Sequence, residues 1–257
     1  MAAPAPAGES PLIARACVQY SRRGKALVEF EGVHRELLRR GAEIEHFTRR
    51  DVFHGRFQVP RGAFVVGEIS ALVALLDGLG AGGRLIDDDP SALNDLLRRR
   101  VWCGTLEELW RDPGVGLTPV FVKPRRRKRF PGRVTQSLAD LRALPQIAQQ
   151  DEFLCAEVVT WIAEYRAYVL RSKVLGVHFY AGSPDARPDP AVAEEAVRRL
   201  NDAGQSAAGY CLDLGVLDSG ETCLVEVNDA IALRNYGLSD AVFTDLLFAR
   251  WQQLANH

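Results

Sequence analysis

The run Thr222-Cys223-Leu224-Val225-Glu226-Val227-Asn228 constrains this chain more than any other. Along a strand, successive side chains point to opposite faces. Glu226 and Asn228 therefore share one face, and Cys223, Val225 and Val227 share the other. Asp218-Ser219-Gly220-Glu221 reads as a turn, which makes residues 210–228 a hairpin. With a four-residue turn Leu217 pairs with Thr222, and the same register sets Asp213 opposite Glu226. Cross-strand neighbours lie about 5 Å apart, so two carboxylates and an amide oxygen converge. Like charges that face each other are destabilising unless a cation lies between them. Magnesium suits such a set, because it takes few protein oxygens and leaves its other positions to water and phosphate. The alternative is a solvated hairpin face whose carboxylates point at water.

Two further groups carry charge in a suggestive order. Only four of the 32 basic residues are lysines: Lys25, Lys123, Lys128 and Lys173. A chain this rich in arginine keeps a lysine by chance or where a compact ammonium matters. Lys173 falls at a hairpin turn, which leaves Lys123 and Lys128. Lys123 ends the β-rich run Val120-Phe121-Val122 and is followed by Pro124 and a basic segment, 125–133, containing Pro131-Gly132. Such a loop could cradle a polyphosphate, stay solvated, or form a nucleic-acid or localisation patch. In Glu164-Tyr165-Arg166-Ala167-Tyr168, alternation puts Glu164, Arg166 and Tyr168 on one face. Arg166 could then meet a phosphate oxygen or form a surface pair with Glu164.

At 257 residues the chain has room for one large domain or two small ones. Residues 1–11 read as a floppy tail and not a signal peptide. Strands at 14–20, 43–47 and 64–67 alternate with helical patterns at 27–41 and up to Leu76, suggesting an α/β lobe over 12–115. The remainder, 116–257, reads as α+β: strands at 153–159, a hairpin over 164–180, a helix after Asp189-Pro190, the 210–228 hairpin and a closing amphipathic helix. Gly78-Leu79-Gly80-Ala81-Gly82-Gly83 matches a dinucleotide fingerprint in letters only, since a helix precedes it where a strand is required. Asp87 to Pro90 reads as the cap of a helix beginning near Pro90. The five cysteines are odd in number, widely spaced and mostly in apolar surroundings, so reduced buried thiols in a cytoplasm are expected. No apolar run approaches a membrane span. A formal charge of −1 weighs against a nucleic-acid partner.

Taken in order, the strand lysine, the loop, the hinge strand, Glu-x-Arg, a hairpin Asp and Glu-x-Asn resemble the ATP-grasp superfamily. The ending Leu224-Val225-Glu226-Val227-Asn228-Asp229, with Asn235-Tyr236-Gly237 after it, is similar to a divergent bacterial branch. That branch is related to the eukaryotic cell-division-cycle protein that assembles a translation initiation factor. Phe64-Val65-Val66-Gly67 and Phe121-Val122-Lys123-Pro124-Arg125 also look like its pattern. The resemblance implies an α/β N-terminal lobe followed by ATP-grasp lobes, with ATP held between two α+β subdomains. It implies Lys123 on the α/β-phosphates and Lys128 over the triphosphate. Glu157, Val158 and Val159 would then form the hinge that receives adenine and ribose. Arg166 would lie on the γ-phosphate side, and Asp213, Glu226 and Asn228 would hold Mg²⁺. The chemistry implied is carboxylate–amine ligation through an acyl phosphate, with a small-molecule, peptide or protein acceptor. An alternative is a nucleotide-binding assembly factor without turnover. Arg234 stands where a small residue is expected, and it could read an acidic substrate group.

Overall fold

A computed structural model describes residues 11–87, 89–111, 118–125, 132–144 and 152–255. The chain opens with strand β1 (Arg15–Tyr20), helix α1 (Glu31–Arg39), β2 (Glu43–Thr48), α2 (Arg49–Phe53), β3 (Phe64–Val66) and α3 (Ile69–Gly78). The three strands form a parallel sheet in the order β2-β1-β3. β1 is buried from Ala16 to Gln19, as a central parallel strand covered on both faces must be. Gly41 leaves α1 at φ 72°, the left-handed position that favours glycine.

The second unit contains β4 (Val101–Thr105), α4 (Leu106–Arg111), β5 (Val120–Pro124), β6 (Arg133–Thr135), α5 (Leu138–Arg142) and β7 (Glu152–Glu157). Its antiparallel sheet runs β4-β7-β5-β6. β4 thus joins this sheet although it precedes residue 115, where the sequence suggests the lobe ends. Cys103 lies on this edge strand and is exposed, unlike the four buried cysteines. Ahead of β4, residues 91–96 form a 3₁₀ turn with no side-chain cap, in place of the expected capped helix. Its closing bonds run i to i+3, from Leu93 N–H to Pro90 O and from Leu97 N–H to Asn94 O.

The third unit holds β8 (Trp161–Leu170), β9 (Lys173–Gly182), α6 (Pro190–Asp202), β10 (Gly209–Leu217), β11 (Thr222–Asp229) and α7 (Asp240–Ala255). Its antiparallel sheet is ordered β11-β10-β8-β9. Asp189 caps α6 by accepting from Ala191 N–H, with Pro190 as the first helical residue. α6 covers one face of the sheet through Ala193, Ala196, Val197 and Leu200 against Leu212, Leu214, Leu224 and Val227.

α7 departs from the amphipathic expectation. Phe243, Leu246, Leu247, Phe248, Ala249, Arg250, Trp251 and Leu254 are all buried, while Val242 is exposed. The reason is its place between the parallel sheet and the other face of the β8–β10 sheet. The Trp251 indole N–H donates to Ala63 O at 2.8 Å, and Phe248 meets Phe64 edge-on at 5.4 Å.

A buried ion network fastens α1 to α7. Glu36 accepts from Arg39 and Arg40, each at 2.7 Å, and Arg40 also pairs with Asp245 at 2.6 Å. The Arg39 hydrogen bond, helped by Arg40 and opposed by burial, holds the Glu36 carboxyl at about 2 against an ordinary 4.5. A depressed pKa stabilises above the unfolded value and is lost as pH falls through the folded one. We therefore expect the melting temperature to drop from pH 5 to pH 2 more steeply in the wild type than in Glu36→Gln. Glu36→Ala should cost roughly 2 kcal/mol at neutral pH, read by denaturant unfolding.

Candidate functional site

The hairpin of β10 and β11 is regular near its turn, where Val216 pairs with Thr222, Gly215 with Cys223 and Leu214 with Leu224. The turn therefore closes one residue tighter than the expected pairing of Leu217 with Thr222, and Leu217 N–H bonds Glu221 O. A β-bulge follows between Asp213 and Leu214, with Val225 the extra residue, and Asp213 pairs with Glu226. The two offsets cancel. The bulge also breaks simple alternation. Cys223, opposite Gly215, shares the face of Asp213 and Glu226 instead of lying across the strand from them.

Four charges meet on that face. Asn228 Nδ2 donates to Asp213 Oδ2 at 3.0 Å and to Glu226 Oε1 at 2.8 Å, drawing the two carboxylates together. Lys123 comes across from β5 of the other antiparallel sheet, its Nζ 2.7 Å from Glu226 Oε2. Arg166 on β8 lies opposite Asp213 and grips it with two parallel bonds, Nε to Oδ1 and Nη2 to Oδ2, both 2.8 Å. Burial works against the Arg166 charge, but the Asp213 hydrogen bonds and charge outweigh it and raise its pKa. The guanidinium also sits over the rings of Tyr180 and Tyr236, at 5.8 and 5.3 Å. Those rings stack on each other at 5.1 Å, and Tyr180 O–H donates to Glu164 at 2.9 Å. Arg166 is thus the partner of Asp213, and Glu164 is the partner of Tyr180.

The remaining sequence candidates divide. Glu157, Val158 and Val159 lie where β7 leaves one sheet for β8 of the other, with Glu157 and Val158 exposed. Glu157 is tied to Arg100 by paired bonds, N–H to Arg100 O at 2.9 Å and Oε2 from Arg100 N–H at 3.3 Å. Lys128 lies outside the described residues. The Arg234 side chain is exposed and turns to Glu29 of the first lobe, 3.6 Å away, so it does not join the acid pair. Its backbone does belong to the site's frame: Tyr168 O–H donates to Arg234 O at 2.6 Å and accepts from Tyr236 N–H at 2.9 Å. Tyr168 is fully buried, and it pins the 234–236 loop to the sheet. Sequence reasoning put Tyr168 on the face of Arg166 but missed this role, and it missed Tyr180 and Tyr236.

Asp213, Glu226 and Asn228 fit a hard divalent cation in donor chemistry, being two carboxylates and an amide. Asn228 turns its Nδ2 toward both carboxylates, so a rotated amide would be needed to present Oδ1. The two acids and two bases cancel in charge. A bare cation therefore gains little here, whereas a cation arriving with a polyanion can exchange partners with Lys123 and Arg166. Among the described residues no group of three His, Cys, Asp or Glu is disposed to hold a metal by itself. A cavity of about 460 Å³ opens nearby, lined among others by Ile86, Asp87, Asp89, Arg125 and Ser206. Burial and Asp87 raise the Asp89 pKa, opposed by Lys123, Arg125 and Arg99.

A parallel-sheet lobe leading into two antiparallel sheets, with a lysine reaching from one sheet to an acid pair on the other, defines an ATP-grasp architecture. A family model described as an ATP-grasp domain, the second family of its clade, matches residues 96–246. That is more than half of the chain, and the chain belongs to this family. Solved structures agree on the fold. The RimK domain ATP-grasp protein from Sphaerobacter thermophilus is 16% identical with TM-score 0.57, covering 91% of this chain and 99% of its own. The D-alanine–D-alanine ligase from Bacillus anthracis, complexed with ATP, is 14% identical with TM-score 0.54, covering 94% and 97%. N5-carboxyaminoimidazole synthetase from Staphylococcus aureus is 12% identical with TM-score 0.53, covering 93% and 77%. No curated protein matches by sequence. No helix among the described residues is long and apolar enough to cross a membrane.

Tyr168→Phe tests the frame. It keeps the ring packing and leaves Tyr236 N–H and Arg234 O without a partner, at a cost of about 1–3 kcal/mol. We expect the melting temperature to fall by a few degrees, with faster amide exchange confined to residues 234–238.

Proposed function

We propose that this protein is an ATP- and Mg²⁺-dependent carboxylate–amine ligase. The observation that carries the reading is the Lys123–Glu226 contact, which joins the two sheets at the point where both cationic and anionic partners of a Mg-triphosphate stand. In this reading Lys123 takes the α/β-phosphates and the hinge at Glu157, Val158 and Val159 receives adenine and ribose. Arg166 draws off charge at the γ-phosphate. Glu226 and Asn228, with Asp213 beside them, face the metal. Magnesium supplies charge neutralisation of the phosphates.

The donor carboxylate attacks the γ-phosphorus as the bond to the β-phosphate oxygen breaks, giving an acyl phosphate and ADP. An amine then attacks the acyl carbon, and inorganic phosphate leaves with the bonding pair. Little covalent work falls to the protein, whose part is positioning and charge stabilisation. The cavity beside Asp89 is where a small-molecule or peptide substrate would enter. Solved relatives support that breadth: one with TM-score 0.51 is an ATP-grasp ligase, PsnB, complexed with a precursor peptide and AMPPNP. A cytoplasmic location fits, since all five cysteines are free thiols.

A second reading is a nucleotide-binding assembly factor without turnover, akin to the eukaryotic cell-division-cycle protein. It is favoured by the Arg234 side chain, which faces Glu29 of the first lobe and not the acid pair.

Thermal unfolding with and without Mg-ATP tests the nucleotide site. Ligand at about 100 times its dissociation constant stabilises by about 2.7 kcal/mol, hence several degrees. The shift should need magnesium and vanish in Asp213→Asn/Glu226→Gln. No shift in the wild type would overturn the ligase reading. A shift without ADP formation beside a tightly bound partner protein would favour the assembly factor.

A further inference from the structure

The bulge at Val225 decides which residues of β11 face Asp213. With Val216 opposite Thr222 and Leu214 opposite Leu224, an unbroken ladder would set Val225 against Asp213. Glu226 would then turn to the far side, among the apolar residues packed on α6, because a one-residue slip flips every side chain. One extra residue prevents this. β11 is the edge of its sheet, so no outer strand fixes the bulge.

A guanidinium does so instead. Arg99 Nη1 donates to Leu224 O at 2.8 Å and to Leu97 O at 3.1 Å, and Nη2 donates to Val225 O at 2.9 Å. The two β11 carbonyls bracket the bulge. Arg99 lies 5.2 Å over the Trp161 ring, and Trp161 has room only because residue 215 is glycine, where a Cβ would overlap the ring. The preceding residue, Arg98, is held at φ 51°, a conformation non-glycine residues seldom adopt. Its own side chain reaches Glu221 at the hairpin turn, 3.3 Å away.

We propose that Arg99 is a positioning residue that clamps the Val225 bulge and so holds Glu226 and Asn228 on the face of Asp213 and Lys123. Its consequence for nucleotide binding rests on the ligase reading, but the register it fixes does not. A lysine would lack the planar fork that spans two carbonyls.

The test uses the full chain with Arg99→Ala and Arg99→Lys, the latter being the variant to read if the alanine does not fold. Two measurements are made: amide exchange without ligand, and the magnesium midpoint of the ATP-induced thermal shift. We expect exchange to accelerate about tenfold in residues 222–229 and little in β9, and the midpoint to rise about tenfold or more. In a Glu226→Gln background Arg99→Ala should add nothing to the midpoint. Exchange that rises evenly over the molecule, or a midpoint within twofold of wild type despite a lowered melting temperature, would overturn the proposal. A wild type without any nucleotide response, with exchange still localised to 222–229 in the variants, would sustain the clamp and remove the ligase reading.

Discussion

The contact between Lys123 and Glu226 is the interaction on which the site depends. It spans 103 residues of sequence and is the direct polar link between facing sides of the two antiparallel sheets at the acid pair. Neither partner would be stable in its half-buried position alone, since an unpaired charge of that kind is costly to desolvate. With Arg166 on Asp213, the pair leaves a neutral quartet that holds its geometry without a ligand. That neutrality has a functional meaning, for it favours the metal and the triphosphate arriving together over either one alone.

Two buried arginines extend the same logic to the frame. Arg40 ties α1 to α7 through Glu36 and Asp245. Arg250 on α7 grips Asp229, the residue after Asn228, with bonds of 2.9 and 2.6 Å. The Asp229 carboxylate also accepts from Ile86 N–H at 2.9 Å. The far end of β11 is therefore anchored by α7, as its bulge is held by Arg99. α7 is buried almost all round because it serves as the wall between the first lobe and the sheet that carries the acid pair, a place in which an exposed polar stripe would have no solvent to face.

Much of this was legible in local pattern. The Asp218–Glu221 turn and alternation in Thr222–Asn228 place Asp213 opposite Glu226, although that pairing holds because a tighter turn and a bulge offset each other. Arg171 and Ser172, both at positive φ, make the β8–β9 hairpin where the sequence expects one. What local pattern could not convey is distance-spanning choice of partner. Arg166 and Glu164 share a strand face, yet Arg166 pairs across to β10 and Glu164 to β9, where a second bulge lets Tyr180 reach it. β4 was missed because it follows three arginines and sits at a sheet edge, and β6 because three residues carry too little alternation to read. Arg99 looked like one more basic residue. Its role exists only once the chain has folded it beneath the hairpin.

The most direct test of the account is equilibrium binding of Mg-AMPPNP to the wild type and to Lys123→Met, by titration calorimetry at fixed ionic strength. Losing a charge-assisted bond of this kind costs about 1.5–3 kcal/mol, so the account expects affinity to fall about tenfold to a hundredfold while the variant keeps a cooperative melt. Equal affinities in a folded variant would contradict it, because the triphosphate would then bind somewhere other than between Lys123 and the acid pair.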